Sequence, residues 1–543
     1  MDHPFAITLD PNTSRDNLTG AWRTKRPIYG SHLPPCNHAC PAGHDIQRWL
    51  YWAEEGNYQK AWEVMMENNP LPAIHGRICY HPCEDSCNRG QLDQTVSIHA
   101  VERFLGDLAN REGWTVPCRP NTGQKVMVVG SGPSGLSCAY HLRRMGHHVT
   151  VYEAMPRLGG MLRYGIPAYR LPRDVLDTEI DRLAKMGIEL RVNEKVDSVQ
   201  EMLEWNQFQA VFLAIGAHKS KHVNIPAREA GKIFDAIGFL RDAADAPEAA
   251  QAKVGRRVAV YGGGNTAMDA ARTALRLGAE ETVIIYRRDQ AKMPAHISEL
   301  NEALEEGVRV QWLSTIKEMG EDDIEIELME LDDKGFPQPT GKFEKVKADT
   351  LILALGQDSE SEFLKGVPGV KIAKDGVVEI DANMMTGFKG LFAGGDMVPS
   401  NRTAAIAVGH GKKAARCIDA FLHGKVYEPK PKKPIATFER LNTWYYTDAP
   451  KSVQPVLNQL RRLENFDETT GGLDESNALY EARRCLSCGN CLSCDNCYGV
   501  CPDNAIEKLG PGKFEIKLDY CKGCGICVTE CPCGCMDMVR EPE

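Results

Sequence analysis

Residues 125–154 read KVMVVGSGPSGLSCAYHLRRMGHHVTVYEA, and this stretch decides the fold class. A short apolar run meets Gly130-x-Gly132-x-x-Gly135, an amphipathic helical pattern follows, and a second apolar run ends in Glu153. Each residue type has a job. Gly130 permits a tight turn, Gly132 lets the backbone approach a pyrophosphate, and Gly135 lets the helix pack closely on the strand. The helix N-terminus, with Pro133 and Ser134, turns its amides toward phosphate oxygens. Glu153, 18 residues after Gly135, is placed to accept hydrogen bonds from ribose hydroxyls. A plain glycine turn would need neither the strand and helix nor the acid, so the stretch reads as a dinucleotide-binding βαβ unit.

A second copy runs from Arg257 to Arg288, RVAVYGGGNTAMDAARTALRLGAEETVIIYRR. Gly262 and Gly264 take the first two roles, Asn265 opens the helix, and Ala267 replaces the third glycine. The second strand ends in Arg287-Arg288 rather than an acid. Guanidinium groups there can pair with a 2′-phosphate, which favours NADPH over NADH, although surface arginines also serve solubility alone.

Two nested dinucleotide units suggest a flavoprotein reductase, with FAD in one and nicotinamide in the other. Residues 390–415, GLFAGGDMVPSNRTAAIAVGHGKKAA, support this. A strand leads to Gly395 and Asp396, where the acid can hold the ribityl-phosphate. A helix opening at Thr403 and Ala404 then faces the flavin edge that becomes negative on reduction. The runs VFLAIGA (211–217) and LILALGQ (351–357) read as crossings between the units, or equally as plain buried strands. The expected fold class is α/β: two nested Rossmann-like domains, with FAD on 123–249 and 385–425 and an inserted NAD(P)H domain on 250–384.

Length and composition bound the remainder. A chain of 543 residues accommodates three or four domains. A net charge of −10 without a basic stripe argues against a nucleic-acid partner. The opening MDHPFAITLD has no apolar signal region and no run approaches a membrane span, so a cytoplasmic location is expected. Of 20 cysteines, five lie in residues 36–87 and twelve in 485–535. In a reducing compartment such clusters bind metal or do redox chemistry. Cys118, Cys138 and Cys417 have no partner motif.

Near the C-terminus, Cys491, Cys494, Cys497 and Cys501 precede a proline in the spacing C-x2-C-x2-C-x3-C-P, and Cys521, Cys524, Cys527 and Cys531 repeat it. In two-cluster ferredoxins the fourth cysteine of each run serves the other cluster. One [4Fe–4S] set is therefore Cys491, Cys494, Cys497 and Cys531, and the other Cys521, Cys524, Cys527 and Cys501. Residues 480–543 are expected to form a ferredoxin-like α+β domain, with Cys533 and Cys535 left as free thiols. Before it, YEPKPKKPIATFER (427–440) reads as an extended linker and 441–475 as a docking segment with a weak helical pattern around VQPVLNQLRRLENF (453–466), both within 426–479. At the other end, CNHACP (36–41) and CYHPCEDSC (79–87) sit in a helical region spanning 1–122, where zinc is one possible occupant.

Together with LGGMLRYGIPAYRLP (158–172) and YRRDQAKMPA (286–295), the paired motifs resemble the small subunit of glutamate synthase over about residues 36–425. Dihydropyrimidine dehydrogenase and the large subunit of NADH-dependent ferredoxin:NADP oxidoreductase share this module. Gly160 and Gly165 of the first segment are candidate cofactor contacts. The resemblance implies FAD between nicotinamide and iron–sulfur clusters, with hydride exchange at the flavin and one-electron steps beyond it. Such exchange needs positioning rather than a protein acid or base, so no catalytic side chain is expected. The resemblance also implies two N-terminal [4Fe–4S] clusters in place of zinc, one held by Cys40, Cys79, Cys83 and Glu102. The other would use Cys36, Cys87 and an upstream C-x-x-C within EAxRCLxC, but residues 1–35 contain no cysteine.

That missing segment has a match at 480–491, YEARRCLSCGNC. Cys485 and Cys488 are expected to complete the cluster of Cys36 and Cys87, the alternative being an unused thiol pair. Four clusters follow. The appended tail is similar to that of flavoproteins donating electrons to dissimilatory sulfite reductase and of electron-transfer subunits of 2-oxoacid oxidoreductases. The chain reads as an iron–sulfur flavoprotein NAD(P)H:acceptor oxidoreductase, a subunit serving a redox partner or ferredoxin. Alternatives are a glutamate synthase small subunit working with an amidotransferase large subunit, or a wiring module without catalysis.

Overall fold

The computed structural model describes residues 18–198, 208–221, 223–227 and 232–542; the reading of the opening decapeptide concerns residues outside these. Two all-parallel five-stranded sheets form the centre. The first has the order Leu391–Ala393, Ala210–Leu213, Lys125–Val129, His148–Tyr152, Glu189–Arg191. The second has the order Arg309–Gln311, Glu281–Ile285, Arg257–Tyr261, Thr350–Leu353, Lys232–Asp235. Their inner strands are continuous apolar runs because helices cover both faces of a parallel sheet; Val126, Met127 and Val128 are fully buried, as are Val211, Phe212 and Leu213.

Both VFLAIGA and LILALGQ enter their sheets as strands. Just beyond each, Lys219–Ser220 pairs antiparallel with Gln357–Asp358, so the two crossings between the sheets run side by side. The strand Lys232–Asp235, upstream of position 250, is the edge of the second sheet. An antiparallel three-stranded sheet, Ser314–Met319, Asp323–Leu331 and Pro337–Lys347, flanks it.

The N-terminal region is helical: Ile46–Glu54, Tyr58–Met66, Pro72–Ile78 and Ile98–Glu112. The last two cross at glycines. A Cβ on Gly76 would lie 2.4 Å from the Arg103 nitrogen, and one on Gly106 would lie 2.4 Å from the Ala73 nitrogen, so only glycine allows this approach. The helix Glu475–Arg483 packs onto this bundle, burying Ala482 with Ile46, Trp49 and Val101. Its Glu481 carboxylate accepts the Ser97 N–H at 2.8 Å, and Arg484 donates to the Thr95 and Gln94 carbonyls.

The C-terminal domain has a hairpin, Ile506–Gly510 with Lys513–Ile516, and a second two-stranded ladder that it does not complete alone. Met536–Arg540 pairs antiparallel with Lys25–Tyr29, in the register Tyr29 opposite Met536. The segment 427–440 is extended, but it is also pinned. The Leu33 N–H donates to Pro434 O at 2.8 Å, and Ala436 N–H returns a bond to Leu33 O at 2.9 Å. Within 453–466, the helical part is Gln459–Glu464, which sits against the second dinucleotide unit through Gln459 to the Glu305 carbonyl. Among the described residues no helix is long and apolar enough to cross a membrane.

Candidate functional site

The first glycine-rich turn is shaped as a phosphate cradle. Gly130 sits at φ +101°, and a Cβ there would lie 2.4 Å from the Ala214 carbonyl oxygen. A Cβ on Gly135 would lie 1.9 Å from the Gly130 oxygen, the close strand–helix packing that the motif requires. Around Gly132 there is open space: nothing lies within 4 Å of its Cβ position. The helix Pro133–Arg144 begins here, and Ser134 Oγ is buried without a hydrogen-bond partner among the described residues. Open space over a glycine, free helix N-terminal amides and an orphaned hydroxyl fit a pyrophosphate. Gly160, at φ +52°, brings its backbone against Gly132, while Gly165 packs on Met161.

Glu153 is buried and already accepts bonds from the Ser131 amide and hydroxyl, at 3.0 and 2.6 Å, and from the Met155 amide at 2.9 Å. Its carboxylate is therefore held in one orientation at the end of its strand. Gly395 closes the other side of the cradle: a Cβ there would meet the Ser134 Cβ at 3.0 Å. Its N–H donates to His410 Nδ1 at 3.2 Å. Asp396 follows, its carboxyl pushed up by burial and drawn back by Arg402. Thr403 caps the helix Ala404–Leu422, accepting the Ile406 N–H, and that helix packs along Pro133–Arg144.

The second turn repeats this geometry. A Cβ on Gly262 would lie 2.2 Å from the Ala354 oxygen, whereas Gly264 faces open space. Ala267 is buried in the third-glycine position. The Asn265 side chain accepts the His296 N–H at 2.8 Å, tying the turn to the loop after Arg288. Arg287 is exposed; Arg288 stacks toward Phe336 and keeps a buried Nε without a partner among the described residues.

The segment 158–172 joins the two units. Arg170 makes hydrogen bonds to both Asp269 carboxylate oxygens at 2.9 and 2.8 Å and also pairs with Glu299. Tyr169 lies under the guanidinium of Arg276, 3.8 Å from its ring centre, and Arg272 and Arg276 both chelate Glu306 at 2.7–2.9 Å. Burial raises the Glu306 carboxyl, but hydrogen bonds from Arg276 and Arg272 outweigh this and hold it at about 2.

The cysteines of the two ends fall into four groups, and Cys118, Cys138 and Cys417 lie outside them. Cys40, Cys79 and Cys83 lie near one another, with Glu102 close enough to Cys40 and Cys79 to oppose their ionisation. Glu102 accepts a bond from Asn69 at 2.9 Å, and burial pushes its carboxyl up to about 8. A carboxylate that is costly to ionise alone is one that a cationic iron would stabilise. Beside it stand buried His44 and His75, whose Nε2 atoms lack hydrogen-bond partners among the described residues. Nothing in the cysteine spacing pointed to these two histidines, since histidine-to-glutamate proximity here depends on helix packing.

Cys36, Cys87, Cys485 and Cys488 line one cavity together with Gln47, Leu50 and Asn88. Its four sulfurs come in pairs from the two ends of the chain, and Asn88 Nδ2 donates to Cys488 Sγ at 3.4 Å. A second cavity is lined by Cys491, Cys494, Cys497 and Cys531, while Cys501 falls beside Cys521, Cys524 and Cys527. The fourth cysteine of each run thus lies with the other set. Cys533 and Cys535 line the second cavity too, buried 3.7 and 3.6 Å from Cys531 Sγ. Sulfur-lined cavities that gather at least four cysteines, or three and a carboxylate, suit [4Fe–4S] clusters.

A family model described as pyridine nucleotide-disulphide oxidoreductase matches residues 98–204 and 124–411. A second, dihydropyrimidine dehydrogenase domain II, 4Fe-4S cluster, matches residues 21–114. The chain is 34 % identical over 503 residues to the NADP(+)-dependent formate dehydrogenase subunit beta of Moorella thermoacetica, spanning 84 % of this chain and 70 % of that one. It is 33 % identical over 509 residues to the NADPH-Fe(3+) oxidoreductase subunit beta of Geobacter sulfurreducens, spanning 84 % and 75 %. It is also 33 % identical over 426 residues to the glutamate synthase [NADPH] small chain of Azospirillum brasilense, spanning 73 % and 88 %.

Proposed function

The chain belongs to the pyridine nucleotide-disulphide oxidoreductase family and carries a 4Fe-4S domain, and we propose that it is the electron-input subunit of a larger redox assembly. It is an iron–sulfur flavoprotein oxidoreductase that uses FAD, NAD(P)H and [4Fe–4S] clusters. We assign FAD to the cradle of Gly130, Gly132, Pro133, Ser134, Gly135, Glu153 and Gly160, with Gly165, Gly395, Asp396, Thr403 and Ala404. NADPH is assigned to Gly262, Gly264, Asn265, Ala267, Arg287 and Arg288.

Bound nicotinamide and flavin supply hydride exchange, and the clusters supply one-electron transfer. The chain's own residues do the positioning. Arg170 and Tyr169 tie the second unit to the first, the positioning that hydride exchange requires. The helix N-terminus at Thr403 and Ala404 offers amide dipoles to a ring that gains negative charge.

The observation that carries the reading is the cavity lined by Cys36, Cys87, Cys485 and Cys488. Through Cys36, which lies near Cys83, and Cys488, two residues short of the Cys491 run, it would connect the site of Cys40, Cys79, Cys83 and Glu102 to the ferredoxin domain. There Cys491, Cys494 and Cys524 are exposed, within reach of a docking redox protein or ferredoxin. The partner is a separate catalytic subunit, in keeping with the beta-subunit relatives. A glutamate synthase small subunit is the second reading, but that relative's match leaves a quarter of this chain outside it. Anaerobic stopped-flow mixing tests the assignment: NADPH should bleach the flavin and then the cluster absorbance, with NADH slower. If neither nucleotide bleaches the flavin, only a wiring module is left.

A further inference from the structure

The strand Lys25–Tyr29 belongs to no dinucleotide or cysteine motif, yet it completes the ferredoxin domain. Five residues pair with Met536–Arg540. Ahead of them, Thr19 donates to the Tyr520 carbonyl, the Gly20 N–H to Asp519 O at 2.9 Å, and Arg23 to Cys521 O at 2.9 Å. The Gly30 N–H then donates to Cys535 O at 2.9 Å. This embrace delivers one side chain into the cavity of Cys491, Cys494, Cys497 and Cys531. Tyr29 stacks on Phe514, ring centres 5.9 Å apart, and its hydroxyl lies 3.1 Å from Cys497 Sγ.

We propose that Tyr29 is a positioning residue that raises the reduction potential of the cluster held by Cys491, Cys494, Cys497 and Cys531, through an O–H···S bond to Cys497. The proposal rests on the assignment of a cluster to those cysteines. A thiolate bound to iron carries no proton, so the phenol is the donor. A donor at a ligand sulfur withdraws charge from the cluster and favours its reduced, more negative state.

The position of this residue along the chain gives the effect a purpose. One stretch of the N-terminal segment serves three sites in order: Tyr29 reaches Cys497, Cys36 lines the cavity that would hold the cluster shared between the ends, and Cys40 lies near Lys412 of the helix Ala404–Leu422 in the flavin domain. Only Gly489 and Asn490 separate Cys488 from Cys491. The hydrogen bond therefore favours an electron on the far side of that short step, where it leaves the N-terminal region for the ferredoxin domain.

The test is Y29F in the full chain, which keeps the ring and its stacking and removes only the hydroxyl. Redox titration followed by electron paramagnetic resonance should show one cluster harder to reduce. Its reduced-to-oxidised ratio at fixed potential should fall roughly three- to tenfold, tenfold being about 59 mV for one electron, with the other centres unmoved. In parallel, the wild-type chain exchanged into D2O should show by electron–nuclear double resonance an exchangeable proton coupled to that centre, absent in Y29F. Unchanged midpoints in Y29F, or no such proton in the wild type, would overturn the proposal. A Y29F chain that loses four irons would also overturn it, by making Tyr29 a structural prop. The wild-type iron count reports separately on the clusters: about 16 irons per chain, four for each cluster, means that they are present, and any failure then belongs to Tyr29 alone.

Discussion

Asn88 donates a hydrogen bond to the sulfur of Cys488, 400 positions away, at 3.4 Å. The amide comes from the helical N-terminal region and the sulfur from the start of the ferredoxin domain, so the two ends of the chain share one polar contact inside one cavity. Asn88 also donates to the Ala436 carbonyl at 2.9 Å, which fastens the segment leading to the C-terminal domain at the same point. The ends meet because Glu481, Ala482 and Arg484 bury themselves in the N-terminal bundle immediately before Cys485.

Gly132 faces open space where a pyrophosphate fits, so G132A should disturb the flavin and little else. The added methyl projects into the cradle without touching protein. FAD affinity is expected to fall at least about tenfold, about 1.4 kcal/mol. The flavin-to-protein absorbance ratio after dialysis measures this, and full retention of FAD would count against the assigned cradle.

Arg287 and Arg288 are assigned to the 2′-phosphate of NADPH. Replacing both with alanine should raise the Kd for NADPH by about 10- to 100-fold, the 1.5–3 kcal/mol typical of a hydrogen bond to a charged group. NADH, which lacks that phosphate, should be left within about threefold. Equal loss for both nucleotides, read by flavin-reduction titration, would place the arginines elsewhere in the site.

Glu306 is chelated by two buried guanidinium groups at the junction of the dinucleotide units. E306Q should cost about 3–5 kcal/mol, because it leaves buried cations short of their counter-charge. Its folded-state value of about 2 lies below an unfolded value of about 4.3. The stabilisation is therefore complete above the unfolded value and is lost as pH falls through the folded one. Thermal unfolding should show wild type and E306Q converging between pH 4 and pH 2, values expected from about those two pKa positions; parallel curves would refute the linkage.

Much of this was legible because the signals are local. The jobs of Gly130, Gly132 and Gly135 are set by neighbours within one turn, and the structure gives each the surroundings its job requires. The ferredoxin spacing similarly places Cys531 with Cys491 and Cys501 with Cys521. The contacts that escaped are long-range. LysArgProIleTyr at 25–29 has no strand periodicity of its own, and its partner strand lies at the opposite end of the chain. Cys533 and Cys535 were expected as free thiols; their place in the lining of the cavity of Cys491 carried no signal in the ligand spacing. The extended character of 427–440 was readable from its prolines and lysines, but its docking on Leu33 depends on backbone groups that carry no sequence signature.

Iron analysis of C485S/C488S tests the central claim most directly. If these residues complete the site of Cys36 and Cys87, the variant should hold about 12 irons where the wild type holds about 16, four for each cluster. The three remaining centres should still be detectable by electron paramagnetic resonance, and NADPH should still bleach the flavin. Retention of all 16 or so irons would contradict the account, leaving the two ends of the chain joined by packing, hydrogen bonds and the Lys25–Tyr29 ladder, without a shared cluster.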